Sequence, residues 1–363
     1  MRLHVRWGNN AMMKLIPYLK LAVEKNASDI FFTTSSPAML KVDGNMFAIG
    51  KQLMTKDLIK ELAYSIMTPD QQATFEQNLE IDLATEAGGL GRFRVNIFNQ
   101  RGNVSMVLRY VQSKVPTIDE LGMPDALRDL IMRKRGLLLM VGATGSGKST
   151  TLAAMLDHRN ESAGGHILTI EDPIEFLHPN KKSIVNQREI GQDTHSYAAA
   201  LKSSLREAPD VILVGEIRDR ETMEAAIQLA GTGHLCISTL HANNAYQTLQ
   251  RIINMFPEDL RAQLYMDLSI NLRAIISQRL VRTVEGKRCA AVEVMINTPY
   301  IAELILRGEV DGIKETMADS QDRAMQTFDD ALFALYKEGR ISKEEALGNA
   351  DSAANLESRI AFT

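Results

Sequence analysis

Three carboxylates fall within the short stretch Thr169-Ile-Glu-Asp-Pro-Ile-Glu-Phe176, directly after an apolar run with the character of a buried strand. Upstream, Gly142-Ala-Thr-Gly-Ser-Gly-Lys-Ser149 fits the phosphate-binding pattern G-x-x-x-x-G-K-[ST], with an apolar strand before it and a helical pattern after it. Glycines at these places let backbone N–H groups wrap an anion at a helix N-terminus. The lysine reaches the β- and γ-phosphates, and the serine hydroxyl can ligate Mg²⁺. Gly142, Thr144, Gly145, Ser146, Gly147, Lys148, Ser149 and Thr150 are therefore the expected nucleotide-binding residues.

A phosphate loop does not by itself distinguish a motor from a kinase or a switch, so the acids decide. Asp210-Val-Ile-Leu-Val-Gly-Glu216 reads as a buried strand ending in one carboxylate, where hydrolysing relatives of this motif use one acid for the metal and often a second for the water. One acid for two tasks gives the 169–176 stretch its weight. A strand adjoining the phosphate-loop strand in a parallel sheet would bring Glu171, Asp172 and Glu175 to the ligand-binding rim. A carboxylate there could orient the attacking water, because phosphoryl transfer is mostly positioning and charge stabilisation. The bland reading is an Asp-Pro surface turn with three solvated acids. His234 and His241 flank the next apolar strand. Seven residues of extended chain hold them about 20 Å apart, so they cannot meet on one phosphate oxygen.

The elements that position these residues follow from the apolar patterning. From Leu137 onward, short fully apolar strands (137–141, 167–170, 211–214, 235–239) alternate with helical stretches. That grammar indicates a parallel sheet covered on both faces, an α/β core. The chain from about 243 to 363 reads as mostly helical, with Ser342-Lys-Glu-Glu345 a capping box and Phe328, Leu332, Leu335 and Tyr336 the stripe of the helix before it. The first hundred residues differ. Asp43-Gly44 between two alternating runs signals a hairpin, helices are expected at about 55–67 and 69–79, and a second antiparallel pair spans 91–98 and 104–110. In that pair Phe93, Val95 and Ile97 share one face, and Arg92, Arg94 and Asn96 the other. The expected division is a leader over 1–12, holding the only tryptophan, Trp7; a domain over 13–112; a linker over 113–118; and a core over 119–363. Met12 or Met13 is an alternative start, and Thr117-Ile-Asp-Glu120 has the spacing that opens a helix.

Composition excludes several classes. With 41 Lys+Arg against 45 Asp+Glu the formal charge is −4, which lacks the basic footprint of a nucleic-acid motor. The two cysteines, Cys236 and Cys289, lie in apolar surroundings and are too few for a disulfide framework. No apolar run reaches the length of a membrane span, so no direct membrane insertion is expected.

Taken together, the phosphate loop, "TIEDPIEF", "DVILVGEIRD" and "GHLCISTLHANNA" resemble the secretion-type ATPases, most closely the type IV pilus retraction ATPases of the PilT/PilU group. The resemblance runs from about Met13 to the C-terminus and includes "NASDIFF", "KVDG" and "GRFRVNIFNQR". It implies a PAS-like α+β first domain, a RecA-like core and a homo-hexamer with ATP and Mg²⁺ at each interface. By position it makes Glu175 the catalytic glutamate and Glu216 the Walker B acid, with Ser149, Glu216 and Glu171 near the metal. It also makes His234 and His241 the histidine box, and Arg94, Arg101, Arg109 and Arg218 the sources of positive charge for the nucleotide.

The expected partners are a PilT-type retraction ATPase and an inner-membrane pilus platform protein, at the cytoplasmic face of the inner membrane. Two features set this chain apart. Tyr300-Ile-Ala-Glu-Leu-Ile-Leu-Arg307 stands where the retraction motor carries "AIRNLIRE", and the tail from Thr327 to Leu356 resembles the PilU-type branch. The two cysteines cannot build the four-cysteine zinc element of the assembly ATPases. The leading expectation is a hexameric motor that powers or assists pilus retraction. The alternative is a nucleotide-gated accessory module with little turnover of its own.

Overall fold

The computed structural model describes residues 10–42, 44–87, 89–111, 114–322 and 324–362, with side chains from 13 onward. It divides into two compact units, Met1–Ser113 and Lys114–Thr363. Trp7 and Asp43 lie outside the described residues, as does most of the expected leader. Residues 10–12 of the expected leader fall in the first helix, which begins at Asn10.

The first unit is built from α1 (Asn10–Glu24), β1 (Asp29–Phe32), β2 (Ala38–Val42), β3 (Asn45–Ile49), α2 (Lys56–Ser65), α3 (Pro69–Asn78), β4 (Glu80–Ala87), β5 (Gly91–Gln100) and β6 (Asn103–Tyr110). Its sheet is antiparallel, in the order β3-β2-β1-β6-β5-β4. Phe93, Val95 and Ile97 of β5 are buried together with Leu15 and Leu19 of α1 and Ile59 and Leu62 of α2, so helices cover one face, as an α+β unit requires. The sequence reading missed β4. Its solvent face carries Glu80, Asp82 and Glu86 while Leu83, Thr85 and Ala87 point inward, and three acids in eight residues mask the alternation.

The second unit begins with a turn where a helix is expected. Thr117 and Glu120 do make the reciprocal capping bonds, but Gly122 at φ +64° ends the turn, and α4 (Ala126–Ile131) starts only beyond Pro124. There follow β7 (Gly136–Val141), α5 (Lys148–Ser162), β8 (Gly165–Glu171), β9 (Ser183–Glu189), α6 (Tyr197–Ser204), β10 (Val211–Val214), α7 (Arg220–Gly231), β11 (Leu235–Leu240), α8 (Ala245–Met255), α9 (Arg261–Asn271), β12 (Leu272–Arg282), β13 (Arg288–Ile296), α10 (Pro299–Arg307), α11 (Ile313–Ala318), α12 (Phe328–Lys337), α13 (Lys343–Asn349) and α14 (Ala353–Ala361).

The sheet order is β13-β12-β7-β11-β10-β8-β9, parallel except at the β13 edge. Leu137, Leu139 and Val141 of β7 enter one buried cluster and Leu138 and Met140 the other. A strand apolar on both faces needs cover on both faces, and the helices provide it.

Two expectations need correction. Residues 243–363 are mostly helical, but β12 and β13, which the reading did not foresee, lie between α9 and α10. Leu272 follows α9 without turn residues, and the buried polar residues Ser277, Gln278 and Glu293 break the apolar signature. In addition, β8 does not adjoin the phosphate-loop strand: β11 and β10 lie between them. Its C-terminal end nevertheless reaches the same rim, because all parallel strands run the same way. At the far end, Phe328, Leu332, Leu335 and Leu356 bury against Val281, Cys289 and Ala291, seating α12–α14 on the β12–β13 edge. Ser342 caps α13, but the Glu345 carboxylate accepts from the Arg282 N–H instead of closing the expected box.

Candidate nucleotide site

Along the C-terminal rim of the core sheet, a cavity of about 420 Å³ is lined by Thr144, Gly145, Lys148 and Ser149 of the phosphate loop and α5, by Glu171, Asp172 and Glu175 of the acidic turn, and by Glu216, Arg218 and His241. Every lining residue belongs to the second unit. The cavity floor forms because β7, β10, β11 and β8 all end here, and chain leaving a parallel sheet at this edge turns outward into loops.

The phosphate loop starts α5 from Gly147, in the left-handed region at φ +87°, and no side chain caps the helix. The first N–H groups of α5 are therefore left for an anion, with the positive end of the helix dipole behind them. The Ser146 hydroxyl is buried with no partner among the described residues. Lys148 Nζ donates to the carbonyls of Gly142, at 2.8 Å, and Ala143, at 3.0 Å, folded back over the loop. Burial holds its ammonium below the ordinary lysine value, while the charges of Glu216 and Glu175 pull it back up. Thr150 is not on the lining of this cavity. Gly142 and Ser146 line a second cavity of about 340 Å³ behind the loop.

The acidic turn is organised and its three acids differ. Glu171 accepts from the Thr169 hydroxyl at 2.6 Å and the Gln187 amide at 3.2 Å, and the Glu175 N–H also bonds to it. Burial pushes its carboxyl up to about 7 against those bonds. Glu171 thus holds the turn, and its carboxylate is already engaged by protein donors. Asp172 and Glu175 are exposed to the cavity, and only Glu175 acts on Lys148 together with Glu216.

Behind the turn, β9 supplies its buttress. Gln187 accepts from the His178 N–H and donates to the Phe176 carbonyl, and Glu189 accepts from the Ile174 N–H. Neither residue stood out in the sequence, because Ser183-Ile-Val-Asn-Gln-Arg-Glu189 reads as a polar strand. Tyr197 was also missed. Its ring lines the cavity, and burial with the Asp172 charge raises its phenol above the ordinary value.

Glu216 sits at the end of β10 with both oxygens engaged. Arg218 Nε donates to Oε2 at 2.8 Å, and His241 Nε2 lies 3.1 Å from Oε1. That bond to Glu216 raises the Arg218 guanidinium above its ordinary value. His234 is at the other end of β11, its Nδ1 within 3.1 Å of the Leu229 carbonyl and 3.2 Å of the Thr232 hydroxyl, so it does not join this cavity. Arg94, Arg101 and Arg109 lie in the first unit. Arg109 pairs with buried Asp29 at 2.8 Å, Arg94 is opposite Arg109 in the β5–β6 register, and Arg101 occupies the β5–β6 turn at φ +50°.

The donor set suits Mg²⁺. The Ser149 hydroxyl and the Glu216 carboxylate are hard oxygens of residues that line the same cavity, and Mg²⁺ is commonly held by one or two protein oxygens together with substrate phosphates and water. Among the described residues no group of three His, Cys, Asp or Glu forms an all-protein metal cage.

An uncapped helix behind a glycine-rich loop, a strand-end acid beside it and a further carboxylate facing its lysine define a P-loop ATPase core of the RecA-like kind. The comparison with known proteins agrees: residues 8–330 match the family described as Type II/IV secretion system protein, and the chain belongs to that family, in its PilT/PilU group. It is 50% identical over 345 residues to the type IV pilus ATPase PilU of Pseudomonas aeruginosa, covering 95% of this chain and 90% of that one. It is 43% identical over 344 residues to the type IV pilus retraction ATPase PilT of the same organism, covering 95% and 100%. The solved structure of the pilus retraction motor PilT with bound ADP superposes at a TM-score of 0.89 and 42% identity, covering 95% of this chain and 99% of that one. The chain is an ATP hydrolase of this family. No described helix is long and apolar enough to cross a membrane.

Proposed function

We propose that the chain is an ATP-driven motor that powers or assists retraction of type IV pili. The observation that carries the catalytic reading is that Glu175 and Glu216 line the same cavity as Lys148 and that the charges of both act on its ammonium. In this reading the α5 N–H groups and Lys148 bind the β- and γ-phosphates, and Ser149 and Glu216 hold Mg²⁺. When bound, the ion neutralises charge on the transferring phosphoryl group. Glu175 orients and deprotonates the attacking water. Arg218 and His241 keep the Glu216 carboxylate oriented, and Glu171 fixes the turn from which Glu175 projects.

The pilus assignment is supported by the names of relatives at 50% and 43% identity. With it come a homo-hexameric ring, into which Arg94, Arg101 and Arg109 of the first unit bring positive charge for the nucleotide, a cytoplasmic place at the pilus base, and partnership with a PilT-type motor and a platform protein of the inner membrane. The Tyr300–Arg307 helix, which replaces the motif of the independent retraction motor, favours an assisting role. ATPase rates measured with and without a PilT-type protein discriminate the two roles.

The test of the chemistry is Glu175→Gln. Removing a general base should lower steady-state hydrolysis by about a hundredfold or more, with ADP binding retained because the phosphate loop is intact. Unchanged hydrolysis would remove Glu175 from the mechanism.

A further inference from the structure

Gln278 is buried in β12, at 2% exposure. Its amide is used at both ends. Nε2 donates to the Ser146 carbonyl at 2.7 Å, and Oε1 accepts from the Thr151 hydroxyl of α5 at 2.8 Å. One side chain therefore ties the phosphate loop to the first turn of the helix that follows it. The loop is cut to fit. A Cβ on Gly147 would stand 2.8 Å from Gln278 Nε2, and a Cβ on Gly142 would stand 2.5 Å from the Gln278 carbonyl. Both distances are closer than real carbon contacts permit, so two glycines of the loop make room for this residue as well as for phosphate.

We propose that Gln278 is a positioning residue for nucleotide binding, acting through the Ser146–Gly147 peptide. A trans peptide is planar, with its C=O and N–H on opposite sides. Pinning the Ser146 carbonyl onto β12 turns the Gly147 N–H away from that strand, to the side where an anion at the α5 N-terminus accepts it. Without the pin this peptide can rotate, and its carbonyl can present negative charge to the phosphates. Thr151 holds the other end of the amide, which fixes the donor's direction. The proposal rests on the reading of this loop as the ATP site and adds a residue to it from β12, the strand paired with β7.

The test compares Q278M, which conserves length and loses both bonds, with T151V, which removes only the Thr151 bond, and with K148A as a control. ADP dissociation constants, steady-state KM and kcat, and melting without nucleotide are measured on the full chain. Loss of a buried donor that leaves the Ser146 carbonyl unsatisfied predicts weakening of ADP binding by about tenfold to a hundredfold. KM should rise more than kcat falls, and T151V should stay within about threefold of wild type.

If Q278M does not fold, Q278E carries the test, since it keeps the shape and replaces the donor with an oxygen facing a carbonyl. It should also weaken ADP binding. ADP affinity of wild type in either Gln278 variant, or equal losses in T151V and Q278M, would overturn the proposal. If instead K148A binds ADP as wild type does, the loop is not the nucleotide site, and that reading fails independently of Gln278.

Discussion

Glu293 offers a sharp measurement of how the core tolerates a buried acid. It lies in β13, 6% exposed, where its Oε1 accepts from the Ala245 N–H at 2.7 Å and the Ser277 hydroxyl at 2.9 Å. Burial pushes its carboxyl from 4.5 up to about 7, against the two hydrogen bonds that favour the charged form. The gap is worth on the order of 3 kcal/mol. Its sign follows from proton binding: between the unfolded and folded values the native state holds the proton and the unfolded state does not, so stability falls as pH rises through this window. Below about pH 4.5 the penalty is absent, and above about pH 7 it is complete.

Glu293→Gln keeps an acceptor for Ala245 and Ser277 and abolishes the titration. Wild type and variant should therefore have similar stabilities, apart from a constant offset, near the acid end of the range. By about pH 8 the variant should have gained about 2–3 kcal/mol relative to wild type. Urea unfolding followed by far-ultraviolet circular dichroism at several pH values measures that difference. Other titrating groups, Glu171 included, are common to both proteins and cancel. A stability difference that does not change with pH would refute the reasoning, because it would mean that water reaches Glu293 and that burial does not set its charge.

Two further outcomes follow from the same geometry. His241→Ala removes the partner of Glu216 Oε1 and should lower kcat by about tenfold, the value of one oriented hydrogen bond, with ADP affinity little changed; an equal loss of ADP affinity would place His241 in ground-state binding instead. Cys236 is fully buried and its thiol is pushed up to about 12 by burial, so it should resist thiol-specific labelling in the native protein near neutral pH and react only in denaturant, and native labelling located by peptide mass analysis would contradict its placement.

The phosphate loop, the acid ending β10 and the acidic turn were legible because each couples a special residue set to an abrupt end of an apolar strand. What the sequence concealed was long-range. That β8 reaches the rim from three places away depends on strand order, which no local pattern encodes. β12 and β13 were hidden because buried Ser277, Gln278 and Glu293 interrupt their apolar runs, and each of these residues is satisfied by a partner distant in the chain: Ser146 and Thr151 for Gln278, Ala245 for Glu293. The helix expected at Thr117 failed for a local reason. Its cap formed correctly, but Gly122 and Pro124 allow no helix to propagate from it. Of the two histidines, the separation along β11 was readable, yet which of them faced the acids depended on the direction of the sheet.

Local rules are broken at one place more than at others, and that place is the cavity. The helices following loops at Thr55, Thr68, Ser196, Asp219, Asn244 and Thr298 are all capped by those side chains. α5, at fifteen residues, starts from a bare glycine; α4, α9, α11 and α14 also lack a side-chain cap, but only α5 opens onto the cavity. Beside it lie a buried hydroxyl at Ser146 without a partner among the described residues, an ammonium depressed by burial at Lys148 and a carboxyl raised by burial at Glu171.

Each of these costs folding free energy, and a sequence selected only for stability would cap the helix and solvate the charges. An anion with several oxygens at the α5 N-terminus would answer two of these irregularities at once. It would accept from the uncapped N–H groups and draw Lys148 off the carbonyls of Gly142 and Ala143. Glu171 is the exception that assigns its own role: its bonds go to Thr169, Gln187 and the Glu175 N–H, so its burial cost fixes the position of Glu175 and contributes nothing to the phosphate.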